Sequence, residues 1–143
     1  MLMRMANDLR GYWFTSPLFR VEPGEEAESN PGRYGRQLAT WLAARLRDRG
    51  HDAGPATPED WGWSVDCRKA PDRFVVACGS VDDGRAGAGQ PATITWHCFV
   101  VAASPILRRL LARGGVARAS QRLDDELRAI LEGEPAIALT EEP

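Results

Sequence analysis

Two residues of this sequence have the right chemistry for an acid/base pair. His97 and Asp66 lie at polar positions of two strand-like segments, and an imidazole beside a carboxylate is a common general base. Strand alternation makes Asp66 a neighbour of His97 across Val75 if the register is right. The alternative is an exposed histidine on a strand, which the pattern favours. We therefore assign no catalytic residue outright, and His97 and Asp66 are the candidates.

Three cysteines raise the question of a metal or redox role. Cys67, Cys78 and Cys98 are an odd set without a CxxC spacing. Strand alternation places all three on an apolar face and His97 on the opposite one, so these groups do not converge as zinc ligands must. A free cysteine behaves as a small hydrophobic residue. We predict core thiols without disulfides, no metal site and no cofactor.

The order of elements predicts the fold class. We expect a single α+β domain over 11–140, with 1–10 as a flexible N-terminus. Consecutive strands with short turns pair antiparallel, which predicts a two-layer sandwich: a mainly antiparallel sheet of about four strands with helices packed on one face. The expected strands are 12–21, 61–68, 73–79 and 92–102, with a further short one at 136–139, and the expected helices are 31–49, 105–113 and 118–132.

Alternation within the strands predicts which face of the sheet is buried. One set of positions is entirely apolar or thiol, and it must face the helices at 31–49 and 118–132. The opposite set is mostly small or polar and is expected to be open. The core set is Trp63, Val65, Cys67, Phe74, Val76, Cys78, Ile94, Trp96, Cys98 and Val100. Prolines make 52–60 a connection, and the acidic run 22–30 is typical of a loop.

A tryptophan beside two carboxylates is the most distinctive candidate for binding. If Trp63 faces the core, Trp61 faces outward, next to Glu59 and Asp60. Such a group can anchor a protein partner or stack on a planar cation; equally, Trp61 can cover the end of the sheet as part of the fold. The predicted binding residues are Glu59, Asp60, Trp61, Ser64, Arg73, Thr95 and His97.

Composition narrows the classes of partner. The chain has 143 residues, 43% hydrophobic and 27% charged, with a formal net charge of -2, which disfavours a nucleic-acid binder. It has no apolar run of membrane-spanning length and no secretory signal, so we expect a cytoplasmic protein. The glycines of 84–89 match no phosphate-binding motif. Arg108, Arg109 and Arg113 are typical of a solvated helix face, and the alternative is a contact for a phosphate or an acidic partner.

Several strings resemble an uncharacterised family of small bacterial proteins. They are Asn30-Pro-Gly-Arg-Tyr-Gly35, Leu38-Ala-Thr-Trp-Leu42, Glu59-Asp-Trp-Gly-Trp63, Cys78-Gly79 and Trp96-His-Cys-Phe-Val100. The resemblance implies a bacterial cytoplasmic protein, and it carries over no activity and no functional residue. The α+β shape is also similar to that of small immunity and antitoxin proteins, at the level of fold class.

The sequence therefore favours a non-enzymatic protein-binding module with a toxin-neutralising or adaptor role, and a homodimer is compatible with it. The alternative is an enzyme of unknown reaction that uses His97 and Asp66 as acid and base on the open face. Nucleic-acid binding through arginines is a third hypothesis. Capture of a partner in a pull-down would favour the binding module, and a deep pocket around His97 with a perturbed pKa would favour the enzyme. Strong salt-dependent retention on DNA would favour nucleic-acid binding.

Overall fold

The computed structural model describes residues 11–69, 72–81, 94–102 and 114–143. These ranges contain seven strands and three helices. They are β1 (Tyr12–Thr15), α1 (Glu25–Glu28), α2 (Arg36–Asp48), β2 (Asp52–Ala53), β3 (Thr57–Glu59), β4 (Gly62–Lys69), β5 (Asp72–Ser80), β6 (Trp96–Ala102), α3 (Gly114–Glu132) and β7 (Ala138–Thr140). The expectations for 1–10, for the glycines of 84–89 and for the helix at 105–113 lie outside the described residues.

The strands form one antiparallel sheet in the order β2-β4-β5-β6-β1-β7, with β3 also paired to β4. The prediction of about four strands is wrong, because the sheet has seven. The stretch 52–60 is not a plain connection: β2 and β3 follow one another along the outer side of β4. Pro58 is tolerated in β3 because an edge strand needs hydrogen bonds on one side only.

The core lies on the side of the sheet that alternation predicts. Trp63, Val65, Trp96 and the other predicted strand positions are buried, except Ile94, which is partly buried against them. Helices α2 and α3 cover this side. Their contributions to the same cluster are Leu38, Ala39, Leu42, Ala43 and Leu46 from α2, and Leu123, Leu127, Ile130 and Leu131 from α3. None of the helices in the described part of the chain has the length and apolarity that crossing a bilayer needs.

Helix α2 begins later than its sequence pattern predicts. Asn30 and Pro31 do not start it, because the backbone turns at Gly32 and Gly35, whose φ angles are +78° and +148°. Both angles lie in a region that suits glycine, and the first helical residue is Arg36. The side chain of Asn30 instead donates a hydrogen bond to the carbonyl of Asp60. The segment 30–35 is therefore a loop that precedes α2, and the Asn30 side chain links this loop to the turn between β3 and β4.

Candidate functional site

Three of the distinctive sequence strings meet at one corner of the sheet. We call residues 30–35, 59–63 and 78–80 the Trp61 corner. The Asn30 amide donates to the Asp60 carbonyl at 2.7 Å. The Ser80 hydroxyl accepts from the Tyr34 amide and donates to the Gly32 carbonyl, both at 3.4 Å. These bonds connect the loop before α2 to the β3–β4 turn and to the end of β5.

Two glycines let the backbone segments of this corner approach closely. Gly62 has a φ of +153°, and a Cβ atom there would lie 2.6 Å from the carbonyl oxygen of Cys78. A Cβ at Gly35 would lie 3.2 Å from the same oxygen. The hairpin and the start of α2 therefore both rest on one peptide of β5, and a side chain at Gly62 would separate them.

A fully buried carboxylate caps α2. The Glu25 side chain accepts from the amides of Gly35 and Arg36 at 3.1 and 2.9 Å, and from the amide of Glu22 at 2.7 Å. The first amides of a helix have no partner within the helix and attract anions. Because Glu25 already lies there, this helix start is not open to a phosphate or another external anion.

A second carboxylate of the same segment holds the loop before α2. Glu26 accepts from the Gly32 amide at 2.8 Å and from the Tyr34 hydroxyl at 3.0 Å. The bonds from Gly32 and Tyr34 lower the pKa of Glu26, while burial and the nearby Glu26 raise the pKa of Tyr34. The acidic run 22–30 contains α1 and holds the loop 30–35 in place, although its composition predicted a plain loop.

Trp61 lies exposed at the tip of the hairpin, as predicted. Glu59 pairs with Gly62 across β3 and β4, so Asp60 and Trp61 form the turn. The Trp61 residue is 44% exposed, whereas Trp63, two positions further along, is fully buried. Asp60 is exposed and Glu59 is partly buried. The corner therefore presents an indole beside two carboxylates on a backbone held by its neighbours.

The other predicted binding residues do not form one continuous strip with Trp61. Ser64 lies on the predicted face but is only 7% exposed, so it offers a partner little surface. Arg73 is exposed and engaged with Asp66. Thr95 is partly buried. His97, also partly buried, stacks on Trp13 with ring centroids 4.2 Å apart.

The register of the strands separates the candidate acid and base. Asp66 pairs with Val75, as expected, but Val75 pairs with Val101, and His97 pairs with Gly79. Four residues along a strand correspond to about 13 Å, beyond hydrogen-bond reach. Asp66 instead binds Arg73 through both carboxylate oxygens, at 3.0 and 2.9 Å. That bond is the main cause that lowers the pKa of Asp66.

The three thiols are buried and unpaired. Burial raises the pKa of Cys67 to about 12 and raises the pKa values of Cys78 and Cys98 above the ordinary thiol value. The thiolate is the nucleophilic and metal-binding form, and burial disfavours it here. In the four described ranges, no three His, Cys, Asp or Glu side chains are grouped to hold a metal ion.

Comparisons of the chain with protein families, with curated proteins and with solved structures find no match. The resemblance to small bacterial proteins therefore stays a prediction, and the geometry of the chain's own residues carries the functional argument.

Proposed function

We propose that the protein is a protein-binding module that contacts its partner through the Trp61 corner. One observation carries the proposal: a 44% exposed indole lies at the tip of a hairpin whose backbone is held by Asn30 and by the contact of Gly62 with β5. Aromatic anchors contribute a large share of interface energy. An anchor on an ordered backbone loses little further entropy when it binds.

The charges of the corner indicate the chemistry of the partner. Asp60 is exposed beside Trp61, and Glu59 lies on the adjoining strand. A pocket for the indole with lysine or arginine at its rim would complement this surface. Such a module could act by neutralising a toxin or as an adaptor, and both roles are part of this proposal. A cytoplasmic location, which unpaired thiols favour, belongs to it as well.

A quantitative pull-down with matched variants tests the proposal. Trp61→Ala removes the anchor, and Leu139→Ala is the control, because Leu139 is 41% exposed on β7, at the other edge of the sheet. We expect at least one protein to be retained by the wild type and by Leu139→Ala but lost with Trp61→Ala. Calorimetry on that partner should give a Kd weakened by about tenfold or more, or roughly 1.4 kcal/mol.

Melting curves of both variants accompany this measurement. Both should melt close to the wild type, because neither side chain is part of the buried cluster. A folded Trp61→Ala protein that keeps the wild-type set of partners and affinities would contradict the proposal.

A further inference from the structure

We propose that a cleft beside α2 binds an extended segment of a partner protein by enclosing one large apolar side chain. This α2 cleft lies between residues 18–22 and the first half of α2, with a volume of about 530 Å³. It is lined by residues other than those of the Trp61 corner, so the inference does not rest on the function proposed above.

The apolar part of the cleft is built on the core. Phe19 is buried and meets Trp41 edge to face, with ring centroids 5.4 Å apart. Phe19 also meets Trp96 of β6 edge-on at 6.3 Å, which anchors it to the sheet. Leu18 lines the cleft with 44% of its surface exposed, and Val21 nearby is 37% exposed. Aromatic surface held this way, next to an exposed leucine, favours an apolar occupant.

The polar lining offers hydrogen-bond donors with little free charge. The carbonyl oxygen of the Gln37 side chain already accepts from the Arg20 amide at 2.7 Å, which leaves its amide group as a donor. Thr40 is exposed and adds a hydroxyl. Neutral acceptors such as peptide carbonyls complement this set.

Arg36, the cation among the described residues that line the cleft, is already paired with carboxylates. The Arg36 guanidinium lies 3.7 Å from a Glu22 oxygen and 3.2 Å from a Glu28 oxygen. It also lies over the Trp63 ring, 5.0 Å from the centroid. A phosphate or carboxylate ligand would have to compete with these two carboxylates. The charges therefore favour an uncharged segment over an anion.

The shape of the cleft favours a side chain of a larger partner. A small-molecule site buries most of its ligand, but the α2 cleft is open along its outer side. A side chain inserted between Leu18 and Trp41 would be covered from outside by the rest of its own chain. Pockets that take individual side chains are a common means of recognising a peptide segment.

Selection from a phage-displayed library of random peptides on the immobilised full-length protein tests the inference. The selected peptides should share one large apolar residue and no required acidic residue. Their Kd, measured by fluorescence anisotropy, should weaken by about tenfold or more in Thr40→Arg and in Leu18→Ser. Thr40→Arg fills the cleft from an exposed helical position, and arginine suits a helix better than threonine.

Two control variants show whether the peptides bind in this cleft. Ala129→Arg introduces the same charge at an exposed position of α3 and should bind the peptides as the wild type does. The Trp61→Ala variant should also bind the peptides normally. The proposal for the Trp61 corner can therefore be contradicted without affecting the proposal for the α2 cleft. The inference is overturned if no peptide is enriched, if the peptides require a carboxylate, or if folded Thr40→Arg binds them unchanged.

Discussion

Glu25 is the residue whose environment departs furthest from what its type suggests. A buried carboxylate is costly unless it is well hydrogen-bonded, and Glu25 meets this condition with three backbone amides. Two of them, the amides of Gly35 and Arg36, are otherwise without partners at the start of α2. Gly35, the N-cap residue of α2, has no side chain that could cap the helix. The Glu25 side chain, ten residues earlier in the chain, caps the helix in its place.

We expect Glu25→Ala to lower the free energy of unfolding by about 2–4 kcal/mol, because it leaves buried amides without acceptors. Glu25→Gln should lose less, since one acceptor oxygen remains. Denaturant unfolding measures both. Glu28→Ala, on the same short helix, is the control: it removes only an exposed ion pair with Arg36, which is usually worth less than about 1 kcal/mol. Equal losses in Glu25→Ala and Glu28→Ala would argue against the capping role.

At the scale of elements, the β3–β4 hairpin exposes one tryptophan and buries another only two positions away. Trp61 lies in the turn and is exposed, while Trp63 is a strand residue that faces the helices. Gly62 between them permits the change, because it takes a φ of +153° against the Cys78 carbonyl. The hairpin can therefore present an indole outward without giving up a buried one.

Gly62→Ala should destabilise the fold by about 3 kcal/mol, because a positive φ and a contact with backbone act together. Gly24→Ala is the matched control: its φ is +83°, but a Cβ there meets nothing within 4 Å. Only the conformational strain of roughly 1–2 kcal/mol should appear in that variant. Melting temperatures compare the two. Equal losses would mean that the close approach to β5 does not matter.

At the scale of the whole molecule, one side of a seven-stranded sheet is covered by two helices, and the thiols lie in that layer. Cys67, Cys78 and Cys98 belong to the same buried cluster as the leucines of α2 and α3. Reagents therefore reach them through opening of the packed layer, and the thiolate is disfavoured by the raised pKa values.

We expect the native protein to react very slowly with an aromatic disulfide reagent at neutral pH. In denaturant all three thiols should react at once, because unfolding restores both access and the ordinary pKa near 8.5. The absorbance of the released thiolate measures both rates. Destabilised Glu25→Ala should react faster than the wild type if opening controls the rate. A thiol that reacts immediately in the folded wild type would contradict its place in the core.

The candidate site was predictable in part. Trp61 and Trp63 lie two positions apart in a strand-like run, and the turn that ends this run at Trp61 is what gives them opposite exposure. Nothing in the neighbourhood of Glu25 or Glu26 distinguishes them from solvated acids, because their partners other than the Glu22 amide lie six to eleven residues away. The one available signal is indirect: α2 begins after a glycine, with no side chain of its own to cap it.

The periodic pattern was enough to predict which side of the sheet faces the helices, and that the two long described helices pack on that side. Burial imposes periods of two and of 3.6 residues, and a periodic pattern is a local property. Which distant groups meet could be seen only in the folded chain. The tertiary structure placed His97 opposite Gly79, away from Asp66, added β2 and β3 along the edge of β4, and joined Asn30 to Asp60. Register and long-range hydrogen bonds depend on how separate segments are aligned, and many alignments satisfy the same local pattern.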